Sequence, residues 1–331
     1  MEYYLGIDQG GTKSSVVVGA EDGTLIGCET GGGSVFYLDD PDNSSTQTVL
    51  RLSEKIFYGT GLSMDKITAV CAGLSGADWD FEYPLHERRL CEGLGAMNIT
   101  TTVLNDCIIA MRAGSAAPNR AVICAGTEIN IAAHAADGQE IIYGYYINPR
   151  LRGALALGGI VLDSVADAAI GVNPPTTLTD IVLNLTGYRS VESLLTDLAT
   201  RRITIDPRDF VEGLLNAALE GDAVSVAIVD DFATGVSRYI TAALPQLALT
   251  QADVELVYSG SVFKNVGSVI TARITDALLP KFPHMRFINA RYEPVCGALL
   301  TLLDRRYGAN MPANVMAAFN RDCVKLGLIR D

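Results

Sequence analysis

Short apolar runs broken by glycine turns open the chain, and longer stretches with apolar residues at helical spacing follow them. Residues 3–7 are apolar and β-rich, Asp8-Gln9-Gly10-Gly11-Thr12-Lys13 interrupts them, and residues 14–18 resume the strand pattern. Asp22-Gly23 then predicts a hairpin turn before a third strand at 25–28. The same figure returns at residue 121. Residues 122–124 form a strand pattern, Ala125-Gly126-Thr127-Glu128 a turn, and 129–133 a second strand. Asp137-Gly138 again predicts a hairpin turn, with a third strand at 140–142.

The spacing within the two copies is identical, because Gly11 to Gly23 and Gly126 to Gly138 each span twelve positions. Later elements also correspond. Val70-Cys71-Ala72-Gly73-Leu74-Ser75-Gly76 matches Leu256-Val257-Tyr258-Ser259-Gly260-Ser261, and Val103-Leu104-Asn105-Asp106 matches Phe287-Ile288-Asn289-Ala290. Two copies of a three-stranded meander followed by alternating helices and strands predict two α/β domains. Helices are expected over 44–58, 83–97 and 107–114 in the first copy. In the second they are expected over 160–170, 179–185, 191–199, 207–219 and 223–247, with Asp206 and Pro207 as N-cap and first-turn proline. The boundaries read as 1–117 for the first domain and 118–311 for the second, which carries a helical insertion. A final helix over about 312–331 is expected to return to the first domain.

Composition narrows the function classes. A chain of 331 residues suits two cores, and 49% hydrophobic with 19% charged residues describes a well-cored globular protein. A net charge of −13 without a basic stripe repels phosphate backbones and anionic lipid, which argues against nucleic-acid and membrane partners. No apolar run approaches the ~20 residues of a membrane helix. The strand pattern begins at once, leaving no room for a signal peptide, and seven scattered cysteines without a C-x-x-C pair suit a reducing, cytoplasmic setting.

Two glycine-rich hairpin turns, one per domain, suit a phosphate clamp. Backbone N–H groups at Gly10, Gly11, Thr12 and Lys13 can face an anion because glycine permits close approach, and Thr12 and Ser14 add hydroxyls. Asp8 ends the preceding strand, where a carboxylate can hold the water shell of Mg²⁺. A plain hairpin turn is the competing reading, and its recurrence in the second copy weakens it. Asp106 closes another strand and opens a helix. It is either the helix cap or a general base that takes a proton from a substrate hydroxyl. The second copy has Ala290 at the matching place, and an architectural cap would be expected in both copies. Ser259-Gly260-Ser261-Val262-Phe263-Lys264-Asn265 follows a strand and opens a helix, and its small residues let a flat base or ribose lie against the backbone.

These segments together resemble a known group. Asp8-x-Gly10-Gly11-Thr12-Lys13-Ser14, Leu74-Ser75-Gly76-Ala77-Asp78, Asn105-Asp106, Gly126-Thr127-x-x-Asn130 and Gly260-Ser261-Val262-Phe263-Lys264 occur in that order over residues 2–325. The chain is similar to the N-acetylglucosamine kinase and benzoyl-CoA-reductase-activator ATPase family, within the sugar kinase, actin and heat-shock-chaperone superfamily. The resemblance implies two actin-like (ribonuclease H-like) domains facing each other across a nucleotide cleft, with ATP and Mg²⁺ as cofactors and a small sugar as substrate. A homodimer is a family-level expectation. Asp106 would be the catalytic base and Asp8 the metal residue. Gly10, Gly11, Thr12, Lys13, Ser14, Gly126, Thr127, Gly260, Ser261, Lys264 and Asn265 would contact the nucleotide. Ser75, Gly76, Asn105, Asp106 and Asn130 would contact the sugar.

The chain also departs from that pattern. The family's second turn reads Gly-Thr-Gly-Ser-Asn, whereas Glu128 and Ile129 stand at its third and fourth positions. A carboxylate ~4 Å from a terminal phosphate would cost about 4 kcal/mol at an effective dielectric of ~20, so Glu128 must turn outward or join the metal shell if ATP is to bind. A sugar-binding Gly-Asp-Glu-Gly expected near residue 155 is absent, and Val35 replaces an Asn expected after Gly31-Gly32-Gly33-Ser34. Arg150 and Arg152 are read as solvated arginines, with capture of an acidic substrate group as the alternative. The three histidines read as surface or loop residues, and Trp79 as a packed aromatic or a cleft residue. The competing function classes are a nucleotide- or sugar-binding sensor that has lost catalysis and an ATP-hydrolysing activator. The cysteine spacing shows no iron–sulfur ligands to support the latter.

Overall fold

The computed structural model describes residues 1–34 and 44–330, so Val35 lies outside the described residues. The chain divides into two compact units, Met1–Val122 with Ile288–Asp331, and Ile123–Phe287.

The first unit opens with the expected meander, β1 (Tyr3–Gln9), β2 (Lys13–Ala20) and β3 (Leu25–Gly32), each antiparallel to the next. Helix α1 (Ser44–Thr60) leads to β4 (Ile67–Leu74), parallel to β1. Helix α2 (Tyr83–Leu94) leads to β5 (Thr100–Asn105), parallel to β4, and α3 (Asp106–Gly114) follows directly. The sheet order is β3-β2-β1-β4-β5. Strand β1 is central and covered on both faces, which is why its sequence reads as a nearly unbroken apolar run rather than an alternation. Leu5, Ile7, Val16 and Val18 pack with Val49 and Leu52 of α1. Tyr4, Val17 and Cys71 pack on the other face against Ile109 of α3.

The second unit contains β6 (Arg120–Ala125, entering from the unit boundary), β7 (Ile129–His134) and β8 (Glu140–Ile142). Helices α4 (Gly153–Ala169), α5 (Leu178–Thr186), α6 (Val191–Ala199), α7 (Val211–Leu219) and α8 (Ala223–Gln246) come next, and β9 (Val254–Ser259), α9 (Ser268–Leu278) and β10 (Met285–Asn289) complete the element order. Its sheet order, β10-β9-β6-β7-β8, is the first order with each strand replaced by its counterpart in the second copy. The α/β fold with a repeated half is therefore observed. Helices α4–α8 form the insertion, at the point where the first copy has α1 alone.

The C-terminal return is longer than the sequence pattern suggests. Both α10 (Pro294–Tyr307) and α11 (Ala313–Lys325) lie in the first unit, and α10 packs on α3 and β1. The pattern indicated only the last helix. Helix α10 buries Val295, Cys296, Ala298, Leu299, Leu300, Leu302 and Leu303, so it has little polar face to reveal a helical period. Asp322 of α11 accepts the backbone N–H of Leu25 at 3.1 Å and is flanked by the Arg321 guanidinium. The bonds to Arg321 and Leu25 hold its carboxyl below the usual range. The folded-state pKa is depressed, so this contribution is complete above the unfolded Asp value of about 3.9 and is lost as pH falls through the folded one. Asp322→Ala is expected to lower stability by about 1–2 kcal/mol at neutral pH, with a smaller gap to wild type in acid. Urea melts of both proteins at the two pH values check this.

Candidate active site

The carboxyl ends of three neighbouring strands in the first unit gather several of the predicted residues. Asp8 of β1 pairs in register with Gly73 of β4, and Leu74 pairs with Asn105 of β5. Asp8, Ser75-Gly76 and Asp106 therefore emerge at one end of the sheet, where open α/β sheets receive ligands. The Ser75 N–H donates to Gln9 O at 2.8 Å, and Gly76 has φ +93°, a value that favours glycine.

The first glycine turn is closed by Gly10 N–H to Lys13 O at 3.0 Å, and Gly10 O accepts Ser34 N–H at 3.0 Å. Gly33 lies so close beneath it that a Cβ there would sit 2.2 Å from Gly11 O. Gly11 and Thr12 are exposed. Lys13 is also exposed, but its ammonium rests 3.0 Å from Glu293, which also pairs with Arg330. Ser14 differs from the expectation. Its side chain is fully buried with Oγ 3.5 Å from Ser34 Oγ, because β2 is covered on both faces from Ser14 onward and only Lys13 at its start is exposed.

At Asn105-Asp106 the N-cap position falls to the first residue. Asn105 is the N-cap of α3, its Oδ1 accepting Cys107 N–H at 3.0 Å. Its Nδ2 donates to Ala77 O at 3.0 Å and to Asp78 Oδ1 at 2.8 Å. Asn105, expected among the sugar contacts, is thus buried and tied into the scaffold. The carboxylate that follows it lies in the first turn of the helix, near the backbone N–H groups of Cys107 and of Asp106 itself. Burial pushes Asp106 up to about 7, helped by repulsion from Asp8 and Asp78 and opposed by backbone N–H groups at Cys107 and Asp106 itself. Burial likewise pushes Asp8 up to about 6, with Lys13 opposing and Glu293 adding to it.

Mutually repelling carboxylates suit a cation. No group of three His, Cys, Asp or Glu side chains arranged to hold a metal occurs among the described residues. This donor set fits Mg²⁺, which keeps several waters and takes one or two carboxylates together with phosphate oxygens.

In the second unit the turn after β6 is closed by Gly126 N–H to Glu128 O at 2.8 Å. Its carbonyls are taken by the start of α4, since Ala154 N–H donates to Gly126 O at 2.9 Å and Leu155 N–H to Thr127 O at 3.1 Å. Gly153, at φ +62°, permits this approach, because a Cβ would lie 2.5 Å from Glu128 O. Gly260, at φ +104°, lies against the same turn, where a Cβ would meet Ala125 O at 2.1 Å. The unit thus brings the start of the Ser259–Asn265 segment against the Ala125-Gly126 end of this turn. Ser261, Lys264 and Asn265 are exposed, and Asn265 adopts φ +51°, a left-handed conformation that Asn tolerates better than most residues.

Glu128 is exposed. Asn130 accepts Ile131 N–H at 2.8 Å and Gly144 N–H at 2.9 Å through Oδ1, so its oxygen holds a loop. Arg152 donates to Ile147 O and Tyr145 O, each at 3.3 Å, in keeping with a scaffold arginine, and Arg150 is exposed. His86 corrects the reading of surface histidines, for it is buried in α2, while His134 meets Glu140 at 2.9 Å. Trp79 is half-buried, its backbone N–H on Glu82 at 3.0 Å. The sequence reading singled out neither the charge of Asp78 nor the guanidinium of Arg208, whose Nη1 donates to Thr127 Oγ1 at 3.0 Å. The motif containing Asp78 was a signal for the first, whereas Arg208 lies 81 positions from Thr127 and had none.

No family model matches the chain. It is 24% identical over 323 residues to an N-acetyl-D-glucosamine kinase of Dictyostelium discoideum, covering 92% of this chain and 99% of that protein. It is also 24% identical over 319 residues to an N-acetylmuramic acid/N-acetylglucosamine kinase of Clostridium acetobutylicum, covering 91% and 98%. A solved structure from Chromobacterium violaceum, named as a candidate N-acetylglucosamine kinase, superposes with a TM-score of 0.66 at 20% identity, over 91% of this chain and 99% of that one. The resemblance read from the motifs thus extends over nearly the full length, and the fold is that of sugar kinases.

Proposed function

We propose that this chain is an ATP-dependent kinase that transfers the γ-phosphoryl group to a hydroxyl of a small amino sugar. The observation that carries the reading is the pair Asn105-Asp106. Asn105 caps α3, and the Asp106 carboxylate stands at the sheet's carboxyl edge, next to Asp8 and Asp78. The full-length similarity to two curated amino-sugar kinases supports the same reading.

In this mechanism Asp106 orients the acceptor hydroxyl and takes its proton as the oxygen attacks. With the Gly10 N–H spent on closing the turn, the exposed Gly11-Thr12 backbone faces phosphate, and Thr127 presents a hydroxyl from the second turn. Ser261, Lys264 and Asn265 line the nucleotide side. Asp8 would hold the water shell of Mg²⁺, and the ion when bound neutralises phosphate charge. Ser75 and Gly76 lie on the sugar side.

Incubation with MgATP and a panel of amino sugars, neutral sugars and sugar acids is expected to release ADP with an N-acetylated amino sugar far faster than without it. Equal release with and without every sugar would favour the activator reading. ATP binding without any release would favour the sensor.

A further inference from the structure

We propose that Arg208 is the cation of the second phosphate turn and contacts the terminal phosphate of the bound nucleoside triphosphate, an assignment that rests on the kinase reading above. The glycine turn at Gly126-Thr127 carries an acid, Glu128, as its third residue. Arg208 reaches it from a distant part of the chain, in the 3₁₀ turn Pro207–Phe210, and donates from Nη1 to Thr127 Oγ1 at 3.0 Å.

Four features hold the guanidinium there. Asp206 accepts Arg208 Nε on both carboxylate oxygens at 2.8 Å, and its Oδ2 also accepts Nη2. Asp206 caps the turn as well, accepting Arg208 N–H at 3.0 Å, so backbone and side chain are fixed by one residue. The turn is pressed onto α4, where Gly158 leaves no room for a side chain, as a Cβ would lie 1.8 Å from Pro207 O. Phe210 anchors the other end in the core. Helix α4 is the same helix whose first amides bind the carbonyls of Gly126 and Thr127, so arginine and phosphate turn are mounted on one rigid element.

Asp206 already pairs the charge and holds Nε and Nη2 of Arg208, which leaves the Nη1 edge beside Thr127 as the donor for a phosphate oxygen. The side chain is about one-third exposed, so a ligand at Thr127 can reach it. Contact with the terminal phosphate should appear as discrimination between a triphosphate and a diphosphate, which a purely structural arginine would not give.

The test is calorimetric binding of ADP and of a non-hydrolysable ATP analogue, each with Mg²⁺, to wild type, Arg208→Ala and Arg208→Lys, with thermal melts of all three. Arg208→Ala is expected to weaken the triphosphate analogue roughly 10- to 100-fold more than ADP, with Arg208→Lys intermediate because it keeps a cation but not the Nη1 donor fixed beside Thr127. Equal weakening of both nucleotides, or unchanged binding of both, overturns the assignment while leaving the kinase reading intact. If Arg208→Ala fails to fold, the Lys variant carries the comparison alone, and equal losses there overturn the assignment. A wild type that binds neither nucleotide overturns the kinase reading, and the assignment falls with it.

Discussion

Asp106→Asn is expected to lower kcat for sugar phosphorylation by roughly 10²–10⁴-fold, with the KM values for both substrates close to wild type. The amide matches the carboxylate in shape and can still hydrogen-bond a sugar hydroxyl, but it cannot take the proton. The fold should tolerate the change, because Asn105 rather than Asp106 caps α3. Asp106 is instead one of several carboxylates that burial and mutual repulsion disfavour in their charged forms. Removing its charge relieves that repulsion, so the melting temperature should hold or rise while activity collapses. This combination separates a base from a structural acid, whose loss would lower both. Steady-state kinetics beside thermal melts measure it, and activity that survives the substitution would sink the base assignment. The sensor reading makes the contrary prediction, with no sugar-dependent ADP release to lose in either protein.

How far the sequence carried these conclusions depends on the range of the interactions involved. Turns and strands are local, and the recurrence of a glycine turn and an Asp-Gly hairpin at equal spacing was enough to anticipate a repeated α/β half, whose two sheets have matching strand order. The acidic edge was legible for the same reason, since Asp8 and Asp106 each end a strand pattern. What escaped was set by contacts distant in sequence or by burial without a period. Helix α10 is apolar on too many sides to show its faces. Ser14 reads as a phosphate hydroxyl from its motif, yet β2 is covered on both faces from Ser14 onward and buries it. At Asn105 and Asp106 the residue types alone could not say which side chain caps the helix, and the structure gives the N-cap position to Asn105. Arg208 had no local signature, because its link to Thr127 is created by helix α4.

Gly297→Ala is expected to destabilise the protein by about 3 kcal/mol or more, against the sign that helix propensity predicts. Gly297 lies inside α10, where alanine should gain up to about 1 kcal/mol. Here the added Cβ would fall 1.8 Å from Ile109 O and 2.9 Å from Ala113 N, both backbone atoms of α3. No rotamer change can relieve a clash between a Cβ and backbone, so the two helices must move apart and open the packing of Val295, Leu299 and Ile109. Gly159 in α4 supplies the control, for a Cβ there meets nothing within 4 Å, and Gly159→Ala should stabilise as propensity says. The consequence reaches the chemistry because α3 carries Asp106 in its first turn. A shift of α3 should therefore reduce kcat in Gly297→Ala even under conditions where the protein remains folded, whereas Gly159→Ala should leave kcat unchanged. Urea melts and turnover measured on both variants decide it. A stabilised, fully active Gly297→Ala would show that α3 and α10 are not packed this closely and that α10 does not hold the base in position.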